Sequence, residues 1–282
     1  LKINLENAND IKIKKNKDGV ILRSFYIKKK SKKKLVLLLM LDGMSSSIAK
    51  TLNKSKIFFK NRSLDNCWAN AAWTLPSYGN LITGRYTSNH RCYKPDTLFK
   101  PENEAHKINC YKNIYEFFSE QGFVTGCYSG YRRINPTYGY TNGVDIHKFC
   151  KSQSSPEIID DIIGQLEMFN RTSNFIFAHL LDAHHLVKGF KPLSLFSKAS
   201  EKNLLFKNFN AQDKKTKNIF KVHDQYHKDY KLSLYRYSDS RLQILYNYIN
   251  KQKYDDFTII LFGDHGTRFS ADNITLSKQM GN

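Results

Sequence analysis

The chain has 282 residues, enough to bury one substantial core, and 40% of them are apolar, with 19 Phe and 17 Tyr; this excludes an intrinsically disordered class. Forty-five Lys and Arg against 25 Asp and Glu leave a formal charge of +20, a field suited to phosphate, sulfate, acidic polysaccharide, lipid headgroups or nucleic acid. Lys and Asn are used freely throughout, so a compositional bias accounts for part of that excess equally well.

Five cysteines, Cys67, Cys92, Cys110, Cys127 and Cys150, show no CxxC pair and no metal-finger spacing, and they fit either two bridges and one thiol or five free thiols. The longest pure apolar run, Leu35 to Leu41, falls well short of the roughly 20 residues that span a bilayer, so this sequence contains no transmembrane segment. It also lies too deep in the chain for a signal peptide. The first residue is Leu rather than Met, so the chain is expected to be a piece of a longer protein, with room for a removed signal or anchor. The sequence does not fix a compartment.

In chain order, residues 1–34 are polar and Lys-rich, which predicts a basic lead-in with a short hairpin or extended segment around Asp18-Gly19. The run ending in Asp42-Gly43 reads as a strand buried on both faces, with Ser45 to Ser47 opening a helix. "KNIYEFFSEQ" is an amphipathic helix, and "GFVTGCYSG" (Gly122 to Gly130) a strand after it. "PEIIDDIIGQLEMF" is a helix before the apolar run "NFIFAHLLDAHH" (Asn174 to His185). Residues 186–228 show no clear period and read as an irregular insertion above the sheet. "DYKLSLYRYSDSRLQILYNYINKQ" is a helix before the last run, "FTIILFGDHG" (Phe257 to Gly266). Strands alternating with helices predict a three-layer αβα sandwich with a mostly parallel central sheet. Ligands of such sheets gather at the carboxyl ends of the strands, where Asp42, Asp182, His184, Asp264 and His265 are expected.

An Asp at a buried strand end is costly unless it is hydrogen-bonded, paired or bound to a cation. Asp42 or Asp264 alone serves equally as a cap or turn former, but two of them, one followed by His265, suit a divalent ion such as Zn²⁺ or Mn²⁺ better than an all-oxygen Ca²⁺ cage. In "WTLPSYGNLITGR", Thr74 precedes Pro76 at the start of a helical run. Thr74 is either a simple N-terminal cap or a nucleophile held in the positive field of a helix N-terminus. His179 reads as a satisfied core residue, and His90, His223 and His227 as exposed or local, with His90 near the site.

The order "LLLMLDGM", "TLPSYGNLITGRYTSNH", "GFVTGCYSGY", "FAHLLDAHH", "LYRYSDSRLQILYNYI" and "TIILFGDHG" resembles the sulfatase family of the alkaline phosphatase superfamily, from about Leu35 onward. The resemblance implies an alkaline-phosphatase-like fold over residues 35–282, here lacking the C-terminal part, since the family continues beyond Lys278 into further strands and a closing subdomain. It implies Asp42, Thr74, Asp264 and His265 as ligands of one divalent metal ion (Zn, Mn or Ca), and Thr74 as nucleophile. Arg85 would brace the nucleophile segment as part of the catalytic set, and His184 would serve the leaving group. His185, Lys278 and Arg132 are the implied substrate contacts. Asp239 matches a recurrent Asp of structural role. Arg132 and Arg133 stand where sulfatases place a Gly-Lys-Trp-His anion-binding segment.

Two departures bear on the substrate. Formylglycine sulfatases carry Cys or Ser in a C/S-x-P-x-R motif, whereas this chain has Thr74, which cannot become formylglycine, and Tyr78 at the Arg position. A Thr nucleophile resembles instead the phosphodiesterase and phosphotransferase branches. Gly43 stands where many sulfatases have a second Asp, so one metal is expected rather than two. The expected protein is a sulfatase-like hydrolase or transferase acting on anionic esters, a phosphate- or sulfate-bearing sugar, lipid or polymer. The alternatives are a catalytically impaired sulfatase-fold pseudoenzyme and a basic polyanion- or nucleic-acid-binding protein. Nucleic acid is the less favoured partner, because the basic residues are spread rather than clustered with aromatics.

Overall fold

The computed structural model describes residues 33–44, 67–92, 111–131, 133–134, 136, 142–150, 154–182 and 217–266, with side chains from residue 232 onward in the last segment. The strands are β1 (Lys34–Leu41), β2 (Val124–Ser129), β3 (Ile146–Phe149), β4 (Asn174–Leu180) and β5 (Asp256–Gly263). The helices are α1 (Thr74–Thr83), α2 (Thr87–His90), α3 (Ile114–Glu120), α4 (Ser155–Met168) and α5 (Lys217–Lys251). All strand pairs are parallel, in the order β3-β2-β4-β1-β5. The βαβ grammar of the sequence requires this, because parallel neighbours need a crossover that a helix supplies.

The alternation of β1 divides the core into two layers. Leu35, Leu37, Leu39 and Leu41 face α4 and α5, together with Ile176, Ala178 and Leu180 of β4 and Ile158, Ile162 and Leu242 of the helices. Leu38 and Met40 face the other way, with Phe175 and Phe177 of β4, against Leu75, Tyr78 and Ile82 of α1 and Tyr115 of α3. Successive strand residues point to opposite faces, so a strand apolar at every position must be covered on both. Phe177 packs on Tyr78 at 5.0 Å between centroids, and Phe175 stacks on Phe118 at 4.2 Å. At roughly 1.5–3 kcal/mol for each fully buried large apolar side chain, these two layers dominate the stability of the fold.

Two expectations are corrected. β3 escaped the sequence reading because it is a four-residue edge strand, IHKF, with polar residues on both faces. α5 begins at Lys217, so residues 217–228 belong to a helix and not to an irregular insertion; the low apolarity of its first turns hides the period. The lead-in of residues 1–32, the Ser45 to Ser47 helix start and residues 186–216 lie outside the described residues. Cys67, Cys92, Cys127 and Cys150 are free thiols, and Cys110 lies outside the described residues. Among the described residues, no helix is long and apolar enough to cross a membrane.

Candidate metal centre and nucleophile

The register of β1 with β5 pairs Leu41 with Gly263, so the next residues, Asp42 and Asp264, emerge side by side at the carboxyl edge. The turn after β1 is held close to β5. Gly43 has φ 66°, a conformation that favours glycine, and its N–H donates to Asp264 Oδ1 at 2.9 Å. On the facing strand a Cβ at Gly263 would lie 2.2 Å from the Met44 carbonyl oxygen, so only glycine lets the two backbones approach this closely. Asp42 is fixed through its backbone as well: its N–H donates to Leu180 O at 3.1 Å, and Tyr235 of α5 donates to its carbonyl at 2.6 Å.

Thr74 enters this edge from α1 and is 2% exposed. It is not the cap that a Thr before a helical run suggests. Trp73 occupies the N-cap position, with no side-chain cap, and Thr74 is the first helical residue. Its hydroxyl donates instead to Asp42 Oδ2 at 3.1 Å and lies 3.4 Å from His265 Nε2. Asp42, Asp264 and His265 each place a ligand atom within 4.8 Å of the others. His265 Nε2 is 3.2 Å from Asp264 Oδ2 and 3.9 Å from Asp42 Oδ1.

The donor set fits a cation. His265 Nδ1 lies 2.9 Å from the Gly266 carbonyl, which makes Nδ1 the protonated nitrogen and leaves the Nε2 lone pair facing two carboxylates. Asp264 Oδ1 accepts from the Gly43 and His265 backbone N–H groups, while Oδ2 is buried and accepts no hydrogen bond despite its approach to Nε2. Lone pairs converging in a buried place repel one another unless a positive charge sits among them. The set therefore has the composition of a divalent-metal site, with an imidazole whose outer nitrogen is oriented by a backbone carbonyl.

A second group with metal-ligating atoms, Cys150, Glu157 and Asp161, is a poorer set. Lys148 pairs with Asp161, and burial, reinforced by Asp161, pushes the Cys150 thiol up to about 12, away from the thiolate a metal needs.

The remaining site expectations divide. Arg85 does not converge with Thr74: it is exposed beyond the opposite end of α1, with its guanidinium 5.4 Å from the Tyr111 ring centre. Asp182 lies at the expected edge, but its carboxylate is spent on structure. Oδ1 accepts the Ser155 N–H that opens α4, and Oδ2 accepts the Ser155 hydroxyl and, at 2.9 Å, that of Ser238 on α5. His90, expected to be exposed or local, is 1% exposed, with Nε2 2.7 Å from Asn80 Oδ1. His184, His185, Lys278 and Arg132 lie outside the described residues.

Three residues acquire positions the sequence did not reveal. His179 does satisfy both ring nitrogens in the core, but one of its partners is Asp42 Oδ2, at 3.1 Å. Arg133 stands over the rings of Trp73 (5.3 Å) and Tyr131 (5.8 Å), donates to the Tyr131 hydroxyl, and pairs with no carboxylate among the described residues. Tyr78 packs into a buried cluster of the core rather than into the site. Its hydroxyl is 3.0 Å from that of Tyr115 and 3.8 Å from Cys127 Sγ, where burial pushes the thiol up to about 11.

Comparison with known proteins agrees with this architecture. No curated protein sequence matches the chain. Among solved structures, a protein of the alkaline phosphatase superfamily from Vibrio parahaemolyticus superposes with a TM-score of 0.56 at 14% identity, covering 85% of this chain and 56% of that one. The C-terminal periplasmic domain of the phosphoethanolamine transferase EptC from Campylobacter jejuni gives 0.57 at 14% identity, with 85% and 71% covered. The soluble domain of the lipooligosaccharide phosphoethanolamine transferase A from Neisseria meningitidis gives 0.52 at 11% identity, with 86% and 69% covered. This chain thus spans little more than half the length of the first of these relatives, and at such identities the likeness establishes the fold. The sequence profile of the sulfatase family matches residues 35–280, nearly the whole of the chain, and to that family the chain belongs.

Proposed function

We propose that this chain is a metal-dependent hydrolase or transferase acting on anionic esters through Thr74, with phosphoesters favoured over sulfate esters. One observation carries the reading: a Thr hydroxyl at a helix N-terminus, not used as a cap, points into a group of two buried carboxylates and a half-buried imidazole, 3.1 Å from Asp42 and 3.4 Å from His265. Asp42, Asp264, His265 and Thr74 would hold one divalent ion. The imidazole in the set favours Zn²⁺ or Mn²⁺ over Ca²⁺. Bound there, the ion would lower the pKa of the Thr74 hydroxyl and offset negative charge on the transferring group.

The protein's own residues supply the rest. The Thr74 proton is directed at Asp42 Oδ2, and its loss frees the oxygen for in-line attack on phosphorus. As the Thr74 Oγ–P bond forms, the bond to the leaving oxygen breaks. His184 is the proposed acid that protonates that oxygen. Water or an acceptor alcohol then displaces Thr74 from phosphorus and restores the hydroxyl. Two of the structural neighbours carry the name of phosphoethanolamine transferases, which supports an acceptor alcohol beside water at this second step. His185 and Lys278 are proposed substrate contacts. Arg133 joins Arg132 as a proposed holder of the ester's anionic group, because it flanks Trp73, the neighbour of Thr74, without a described carboxylate partner.

The proposal involves no formylglycine, because Thr74 cannot become one, and the burial of Tyr78 against Tyr115 and Cys127 supports that reading. The reading is tested by metal analysis of the purified chain, with turnover of a bis-aryl phosphodiester and an aryl sulfate by wild type and Thr74→Ala. Bound metal and phosphodiester turnover that Thr74→Ala abolishes are the expected results. A protein that binds no metal and is unaffected by the substitution is a sulfatase-fold pseudoenzyme. Salt-sensitive polynucleotide binding that survives Asp264→Ala would favour the polyanion-binding alternative.

A further inference from the structure

The proposed chemistry leaves one buried polar side chain at the site without a task. His179, on β4, is fully buried. The register sets it opposite Ser129 of β2 on one side and Met40 of β1 on the other, two residues before Asp42. Ser129, His179 and Asp42 therefore form a row across three adjacent strands. Their hydrogen bonds run in one consistent direction. The Tyr131 N–H donates to Ser129 Oγ at 3.1 Å, so the Ser129 hydroxyl proton is available to His179 Nδ1 at 3.2 Å. Nε2–H then donates to Asp42 Oδ2 at 3.1 Å. A neutral imidazole in this tautomer satisfies every atom of the row.

An apolar side chain of similar size would fill the same space with no such network, so packing does not explain a histidine here. We infer that His179, its tautomer fixed by Ser129, is a positioning residue for the metal centre. It holds Asp42 Oδ2 on the side of Thr74 and leaves Oδ1 facing His265 Nε2, so that the carboxylate is aimed before a cation arrives. The inference rests on the metal-dependent reading above and adds to it the residues that aim a ligand.

The test is calorimetric titration of Zn²⁺ and, separately, Mn²⁺ into wild type, His179→Leu, His179→Gln and Ser129→Ala, beside thermal unfolding of each protein without metal. His179→Leu is expected to weaken metal affinity about 10- to 100-fold, the usual effect of losing an outer-shell partner. In His179→Gln the amide N–H takes the place of Nε2–H and should recover most of that loss, even where its melting temperature matches that of His179→Leu; a purely structural role would move stability and affinity together. Ser129→Ala should show an intermediate loss. Equal affinity in wild type and folded His179→Leu overturns the inference and leaves the metal-dependent reading intact. If His179→Leu does not fold, unchanged affinity in Ser129→Ala overturns it. A wild type that binds neither ion overturns both.

Discussion

At the residue scale, Thr74 and Tyr78 occupy neighbouring turns of α1 and face opposite surroundings. Removing the Thr74 hydroxyl takes away the proposed nucleophile but only one hydrogen bond, that to Asp42. Thr74→Ala should lower phosphodiester turnover by at least about 10³-fold while costing only about 1 kcal/mol of stability; stopped-time assays and denaturant unfolding read the two effects separately. Tyr78 has the converse profile. Its hydroxyl is paired with Tyr115, and burial holds the Tyr115 hydroxyl well above the ordinary range. Tyr78→Arg, which would complete the motif of formylglycine sulfatases at that position, leaves a guanidinium buried and unpaired. It should destabilise the protein by about 3–5 kcal/mol on urea unfolding; a stable, soluble Tyr78→Arg protein would contradict the cluster as described. The sequence showed both departures from the motif, since they are matters of residue identity. It could not show that Thr74 is the first helical residue rather than its cap, because one residue of phase separates the two and both begin with the same letters. Nor could it reveal His179 as a partner of Asp42: an isolated histidine in an apolar run carries no sign of what lies on the next strand.

At the element scale, the buried acid at the end of β4 has become a joint. Asp182 receives the first N–H of α4 in place of a side-chain cap from Ser154, which makes none, and it ties α4 to Ser238 of α5. Burial raises the Asp182 carboxyl above its ordinary value, against the lowering effect of the Ser155 and Ser238 hydrogen bonds. A folded-state value above the unfolded one means that the folded protein holds this proton more firmly. The group's contribution to stability is then full below about pH 4 and is lost as the pH rises through the raised value. Asp182→Asn should cost about 1–3 kcal/mol through its altered hydrogen bonds, and that cost should shrink between pH 4 and pH 7. Urea unfolding at both values measures it, and a cost that grows with pH would contradict the raised carboxyl. The long apolar strands and their helices were legible because each carries its period within one segment. β3 and the start of α5 were not, because β3 is short and polar and the first turns of α5 carry little apolar period of their own.

At the scale of the whole molecule, the net charge of +20 acts on encounter rather than on chemistry. With a dianionic phosphomonoester or an anionic phosphodiester, kcat/KM should fall several-fold between about 0.05 and 0.5 M salt while kcat changes little, as expected for steering that is screened over a Debye length of roughly 10 Å at 0.1 M. A kcat that falls in parallel would place the salt effect on the catalytic step instead.

The sheet order has a consequence for how the protein comes into being. β1 lies between β4 and β5, both made much later, and the bond from Gly43 to Asp264 closes a separation of 221 residues. During synthesis the most apolar of the described strands emerges first, and the edge that β5 closes stays open until nearly all the described sequence has left the ribosome. Chains with such distant pairings fold slowly and are exposed to aggregation and proteolysis on the way. Because Asp42 and Asp264 of the proposed metal centre follow the first and the last of the described strands, metal uptake by nascent chains stalled before and after β5 would time the joining of those two strands.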